Sequence, residues 1–66
     1  MTKVNDINGN EIDFEAAANL MDEEIMAEMD GMFDEGQEQD YIEEYAKRHG
    51  EKHNGEEFAP YFGLAW

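Results

Sequence analysis

Acidic side chains outnumber basic ones by 18 to 4 in this chain of 66 residues, which gives a formal net charge of −14 at pH 7. Every added carboxylate increases the self-repulsion of a compact state, so a chain this acidic folds only where its apolar residues are placed to form a core. The charge is complementary to a positively charged target. Direct contact with DNA, RNA or an anionic membrane is not expected, because phosphate groups are bound by lysine and arginine.

The chain is long enough for one small domain, and we expect residues 1–66 to form it. It contains no cysteine, which excludes disulfides, thiolate metal sites and cysteine nucleophiles and is typical of a reducing compartment. The N-terminal residues show no charged start followed by an apolar run, and no apolar stretch approaches membrane-spanning length. We therefore expect a soluble, cytoplasmic protein.

High charge and low mean hydropathy are also typical of disordered chains. Here, however, 41% of the residues are hydrophobic, and they recur at the spacings of helices and strands. We expect the chain to fold alone. The alternative is that a partner completes its folding.

A β-hairpin is predicted at the N-terminus. Its strands would cover residues 4–7 and 11–14, on either side of the turn sequence Asn8-Gly9-Asn10. A four-residue loop would place Ile7 opposite Ile12, whereas a two-residue loop would place Asp6 opposite Glu11 and bring two like charges together. We therefore favour the four-residue loop.

Three amphipathic helices are predicted after the hairpin. Their apolar stripes are Ala16, Ala17, Leu20 and Met21 in residues 15–21, Ile25, Met29, Met32 and Phe33 in residues 23–33, and Tyr41, Ile42, Tyr45 and Ala46 in residues 38–49. Asp13 and Asp22 are suited to cap the first two helices, and Gly50 is suited to end the third. The methionines at 21, 26, 29 and 32 are interpreted as core filling rather than as an adaptable binding surface.

The C-terminal residues are rich in aromatic side chains, and Pro60 and Gly63 exclude a long helix there. An edge strand or an extended segment is expected, in which Tyr61, Phe62 and Trp66 either complete the core or contact a partner. The predicted fold class is α+β: a small single domain with an N-terminal β-hairpin, about three helices and an aromatic C-terminal extended segment.

No constellation typical of an enzyme is present. His49 and His53 have the spacing of zinc ligands, but Gly50 is expected to interrupt their helix. Residues 30–41 resemble a calcium loop in composition but not in the register of the ligand positions. Serine and cysteine are absent, so no nucleophile with a partner base can be assembled. We expect no catalytic residue, no metal and no cofactor.

The pattern of acids favours a role in binding. Residues 4–46 contain no lysine or arginine, although a surface that serves only solubility would have basic residues among the acids. Acids four apart on a helix are separated by about 6 Å along its axis, and duplex DNA carries one charge per about 3.4 Å on each strand. Such rows of carboxylates approximate the line of phosphates on a DNA strand, with a wider spacing. The predicted partner-binding residues are Asp22, Glu23, Glu24, Glu28, Asp30, Asp34, Glu38, Asp40, Glu43 and Glu44, and Glu35 belongs to the same run.

In character, the hairpin sequence from Val4 to Phe14 and the acid-rich helices after it resemble the small, acidic, phage-encoded anti-CRISPR proteins that imitate DNA. The resemblance implies a monomeric inhibitor in the cytoplasm of a bacterial host. It would occupy the basic DNA-binding surface of a CRISPR effector subunit and block target binding without a chemical reaction. The favoured target is a type I surveillance complex. The alternative is an acidic regulator or assembly factor that binds a basic protein surface through its aromatic C-terminal tail.

Overall fold

A computed structural model describes residues 2–63 as an antiparallel hairpin followed by four helices. The strands are β1 (Lys3–Asn5) and β2 (Glu11–Asp13), and the helices are α1 (Phe14–Ala18), α2 (Glu23–Met29), α3 (Glu38–Lys52) and α4 (Ala59–Phe62). The predicted α+β class with an N-terminal hairpin is confirmed, with a fourth helix where an extended segment was expected. Within residues 2–63, no helix is long and apolar enough to cross a membrane.

The strand register differs from both predicted alternatives. Neither Ile7 opposite Ile12 nor Asp6 opposite Glu11 is formed, because Val4 is the partner of Ile12. This register turns the side chains of Val4 and Ile12 into the core, whereas Ile7 lies in the loop and is 54% exposed. Since side chains alternate between the faces of a strand, core burial of this one pair sets the register.

The buried carboxylate of Asp6 shapes the hairpin loop. It accepts hydrogen bonds from the backbone amides of Asn8 and Asn10 at 2.9 and 2.8 Å. The backbone amide of Asp6 donates to the carbonyl of Asn10, and Gly9 takes a positive φ of 83°, as expected for the turn. These bonds close a loop whose central residues are 7–9, a length between the two that were predicted.

Both predicted helix caps are confirmed. The carboxylate of Asp13 accepts from the amide of Glu15 at 3.1 Å, at the start of α1. The carboxylate of Asp22 accepts from the amide of Glu24 at 2.8 Å, at the start of α2. Each cap satisfies an amide that has no partner within its helix.

The first two helices are shorter than predicted, and two apolar residues leave the predicted stripes. Helix α1 ends before Leu20, which is 60% exposed instead of buried. Helix α2 ends at Met29, because Gly31 adopts a φ of 81° that lies outside helical geometry. Met32 is therefore 47% exposed, and Phe33 is only half-buried.

Helix α3 is longer than predicted, since Gly50 lies inside it. The helical hydrogen bond from the amide of His53 to the carbonyl of His49 is 2.9 Å, and the chain leaves the helix at Asn54 and Gly55, both with positive φ. A glycine inside a helix costs about 1 kcal/mol relative to alanine. Contacts of the last turn of α3 with the start of α2, described below, offset that cost.

The C-terminal segment forms a short helix rather than the predicted edge strand or extended chain. Pro60 lies in the first turn of α4, where a missing amide hydrogen has no cost. Phe58 is buried, Tyr61 and Phe62 are half-buried, and the carbonyl of Tyr61 accepts from the amide of Ile7 at 2.7 Å. Most of the aromatic segment thus packs onto the fold, while Trp66 lies outside the described residues.

The core lies between the hairpin and the helices. Its buried hydrophobic residues are Val4, Ile12, Ala17, Met21, Ile25, Met29, Ile42, Tyr45, Ala46 and Phe58. The predicted burial of Ile42 and Tyr45 is confirmed, whereas Tyr41 is half-buried at the edge of the core. Met21 and Met29 fill the core as expected; Met26 is half-buried beside it.

Candidate protein-binding surfaces

A polar junction joins the start of α2 to the end of α3. The hydroxyl of Tyr45 accepts from the amide of Asp22 at 2.6 Å and lies 3.0 Å from Nδ1 of His49. The carboxylate of Asp22 lies 3.1 Å from Nε2 of His53 and 3.4 Å from Nζ of Lys52. Tyr45 is fully buried, so the junction fixes how α2 and α3 are placed relative to each other.

Neighbouring groups stabilise the negative charge of Asp22. The hydrogen bond from the amide of Glu24 is the main cause that lowers the pKa of this carboxyl; desolvation opposes it, and the side chains of His53 and Lys52 lower the pKa further. Asp22 is therefore a structural carboxylate that caps α2 and binds the end of α3. This role competes with its predicted role in binding a partner.

The two histidines lie one turn apart on a continuous helix, because Gly50 does not interrupt α3. Their ring centroids lie 4.5 Å apart with the ring planes tilted by 40°, and burial, followed by the charge of His53, lowers the pKa of His49. Within residues 2–63, no three metal-ligating side chains lie close enough together to bind an ion.

One charged groove between α2 and α3 contains both signs of charge. Nε of Arg48 donates to Glu44 at 2.8 Å, and Nη1 of Arg48 lies 3.5 Å from Glu28. Nζ of Lys52 lies 3.2 Å from Glu24. We call this the mixed-charge surface; its charged residues are Glu24, Glu28, Glu44, Glu51, Lys47, Arg48 and Lys52.

A second charged region lies on the opposite flank of the buried stripe of α2. Its acids line two adjoining grooves that share Met26, Phe33 and Tyr41, and no lysine or arginine lines either groove. We call it the acidic surface; its acids are Glu23, Asp30, Asp34, Glu35 and Glu38. Within residues 2–63, none of the five has an ion-pair partner within 4.0 Å.

Aromatic rings form the floor of the acidic surface. The ring of Tyr41 meets those of Phe14 and Phe33 edge to face, at centroid distances of 5.7 and 5.8 Å. The groove between α1, α3 and the α2–α3 connection has a volume of about 280 Å³, and we call it the aromatic groove. Burial, together with the negative charge of Asp30, raises the pKa of Tyr41.

Side chains fix the shape of the connection between α2 and α3. The amide oxygen of Gln37 accepts from the backbone amide of Asp34 at 2.8 Å, and the carboxylate of Glu38 accepts from the amide of Gly36 at 3.2 Å. Gly36 has a φ of 96°, which a residue with a Cβ rarely adopts. The acids of this connection are thus presented on a defined backbone.

The ten predicted binding residues fall into three groups. Glu23, Asp30, Asp34 and Glu38 come together on the acidic surface. Asp22, Glu24, Glu28 and Glu44 each lie within 4.0 Å of a cation. Asp40 is exposed on α3, outside both surfaces, and Glu43 accepts from Nε2 of Gln39 at 3.0 Å.

Sequence reasoning missed the apolar members of the acidic surface. Phe14, Phe33 and Tyr41 were assigned to strand or helix stripes, and their shared exposed edge was not foreseen. A signal was present, because Phe33 and Tyr41 lie within or beside the densest run of acids. Aromatic side chains are enriched in protein-binding surfaces relative to the rest of the surface.

Residues 5–58 of the chain match the model of a protein family described as anti-CRISPR protein AcrIC5. The match spans most of the chain and confirms the predicted resemblance to small phage-encoded anti-CRISPR proteins. No curated protein sequence matches the chain at a significant level.

Proposed function

The chain belongs to the AcrIC5 family of anti-CRISPR proteins, and we propose that it inhibits by imitating DNA. Family membership indicates an inhibitor that binds a component of a CRISPR–Cas system. In our proposal that component is a DNA-binding subunit of a type I surveillance complex in the bacterial cytoplasm. A single copy of the inhibitor covers the basic site that otherwise receives target DNA, and no reaction takes place.

The observation behind this proposal is the acidic surface, whose carboxylates have no ion-pair partner within residues 2–63. Five carboxylates line two adjoining grooves that lack lysine and arginine. Because no cation of the described residues pairs with these acids, their field extends toward an approaching basic protein, as the field of a phosphate backbone does. A charged surface that served only solubility would have basic residues among its acids, as the mixed-charge surface does.

The dimensions of the protein suit a short stretch of duplex. Its Cα atoms extend over 27 × 25 × 16 Å. At about 3.4 Å per base pair, the longest dimension corresponds to roughly eight base pairs. Because the hydrogen bonds of Gln37 and Glu38 fix the acidic connection, little conformational entropy is lost when its charges are bound.

Competition for DNA tests the proposal. A purified type I surveillance complex is incubated with increasing amounts of the protein, and binding of a labelled target duplex is then measured. We expect DNA binding to be lost at stoichiometric inhibitor and regained when target DNA is in excess. If the complex binds both together, so that only a later step such as cleavage fails, DNA mimicry is wrong.

The alternative of a regulator that binds through its aromatic tail gains no support from the described part of that tail. Phe58 is buried, and Tyr61 and Phe62 are half-buried in α4. The carbonyl of Tyr61 accepts a hydrogen bond from the amide of Ile7 in the hairpin loop. These contacts stabilise the fold and leave few tail atoms for a partner.

A further inference from the structure

The aromatic groove combines two features that oppose each other in an isolated molecule. Its floor is apolar, with three aromatic rings and the thioether of Met26, all half-buried. Its rim carries Asp34, Glu35 and Glu38, whose charges favour full hydration. A ligand that satisfies both features has an apolar or flat surface and a positive charge.

The size of the groove limits the ligand. Pockets that enclose a small molecule have volumes of about 300–1,000 Å³ and bury most of its surface. This groove is open to solvent and measures about 280 Å³, which suits one amino-acid side chain projecting from a larger partner.

We propose that the aromatic groove receives an arginine side chain from the DNA-binding site of the partner. This inference rests on the proposed function, because DNA-binding sites present arginines to phosphates. A guanidinium stacks on an aromatic face such as that of Tyr41 and donates paired hydrogen bonds to a carboxylate such as that of Glu38. Lysine fits less well, since its ammonium is strongly hydrated and cannot stack as a plane.

The groove would thus add a feature that phosphates lack. Acids on the rim attract the basic site at long range, and the rings then bind one arginine at short range. Aromatic and arginine residues near the centre of an interface commonly supply most of its binding energy. An inhibitor built in this way competes with DNA through both charge and an aromatic contact.

A titration of the isolated protein tests the groove directly. N-acetylarginine amide, its lysine counterpart and its uncharged citrulline counterpart are added separately, and the aromatic protons of Phe33 and Tyr41 are followed by NMR. We expect saturable shifts with arginine and at least about tenfold weaker binding of the other two, because citrulline has no positive charge and lysine cannot stack as a plane or donate paired hydrogen bonds. Equal binding of citrulline or lysine, or no shift of these rings, overturns the inference.

Two substitutions test the groove in the complex. Phe33→Leu keeps an apolar side chain but removes the ring, and Glu38→Gln removes the charge but keeps an oxygen that can accept from Gly36. Each is expected to weaken binding to the surveillance complex by about fivefold to tenfold. Met32→Leu, at an exposed position outside the groove, is the matched control and is expected to leave binding unchanged.

The outcomes separate this inference from the proposed function. If both variants fold and bind as the unsubstituted protein does, while the protein still displaces DNA, the arginine inference is wrong and DNA mimicry stands. If the unsubstituted protein does not displace DNA, mimicry fails whatever the titration shows. Should Phe33→Leu fail to fold, Glu38→Gln and the titration decide.

Discussion

The two flanks of α2 carry similar numbers of acids and present them differently. On the mixed-charge surface, three of the four carboxylates lie within 4.0 Å of Arg48 or Lys52. On the acidic surface, the carboxylates surround aromatic rings, and none of them has an ion-pair partner in the described part of the chain. In the proposed mechanism, the positions of the few cations therefore matter more than the positions of the many acids.

Distance explains why this difference matters for a partner. The charges of a close ion pair cancel within a few ångströms, and salt screens what remains over about 10 Å at 0.1 M ionic strength. Uncompensated acids add their fields, which raises the rate at which a basic protein approaches in the right orientation. The ion pairs of the mixed-charge surface join α2 to α3, and in our proposal the acidic surface recognises the partner.

The largest expected effect comes from neutralising the acidic surface. The four substitutions are Glu23→Gln, Asp30→Asn, Asp34→Asn and Glu35→Gln, and none of these side chains has an ion pair within residues 2–63. An exposed charge pair contributes up to about 1 kcal/mol, so inhibition is expected to fall by up to about a thousandfold. Thermal unfolding should show stability held or raised, because self-repulsion falls.

The matched control neutralises the mixed-charge surface. Its substitutions are Glu24→Gln, Glu28→Gln, Glu44→Gln and Glu51→Gln, which change the net charge by the same amount. We expect inhibition to fall by less than about tenfold and stability to fall, since Arg48 loses both of its partners and Lys52 loses one of two. Equal losses of inhibition would show that net charge matters and that the comparison between the surfaces is mistaken.

Salt should act oppositely on binding and on folding. Raising the ionic strength from about 0.1 to 1 M shortens the Debye length from about 10 to 3 Å, so affinity for the surveillance complex is expected to fall steeply. Stability should rise over the same range, because screening relieves repulsion among 18 acids and weakens only a few ion pairs. Calorimetric titration and thermal unfolding measure the two responses. Affinity that does not change with salt would favour an apolar contact as the main source of binding.

Local rules predicted much of the fold. The caps at Asp13 and Asp22 depend only on neighbouring amides, and the stripe containing Ile42 and Tyr45 depends only on helical spacing. The ends of the helices were harder to predict. Contacts of Lys52 and His53 with Asp22 extend α3 through Gly50, and those contacts join residues about 30 positions apart.

The candidate site was predicted in part for the same reason. The density of acids between residues 22 and 44 is visible in the sequence, and so is the spacing of Glu44 and Arg48 on one helix. Which other acids have a cation nearby depends on how α2 packs against α3. The pairs Arg48–Glu28 and Lys52–Glu24 cross between those helices, and no local pattern indicates them.

The substitution Arg48→Gln is expected to have a smaller effect. It tests whether the mixed-charge surface stabilises the fold without taking part in recognition. It removes the cation shared by Glu28 and Glu44, so stability is expected to fall by about 1 kcal/mol in urea unfolding. Inhibition should be unchanged or slightly stronger, because the variant is more acidic. Lys47→Gln makes the same change of charge at a residue with no ion pair in the described part of the chain, and its stability should not fall. If both variants lose the same stability, the Arg48 pairs do not stabilise the fold.

The smallest expected effect is a pH dependence of stability that leaves recognition unchanged. Burial, then the charge of His53, lowers the pKa of His49 below 6.5, while Glu56 and Asp22 oppose the shift. The unfolded chain binds a proton at His49 more readily than the folded protein does. The contribution of neutral His49 to the free energy of unfolding is therefore present above about pH 6.5, and it is lost as the pH falls through the lowered pKa of the folded state.

Urea unfolding between about pH 7.5 and 5.5 measures this loss, and most carboxylates stay ionised across that window. His49→Gln should reduce the slope of stability against pH, whereas DNA competition by the unsubstituted protein should stay constant, because His49 lies outside the acidic surface. An identical slope in the variant would assign the pH dependence to another group. A change in DNA competition over the same pH range would link the junction of Asp22, Tyr45 and His49 to recognition. The proposal that stability and recognition depend on different surfaces would then be wrong.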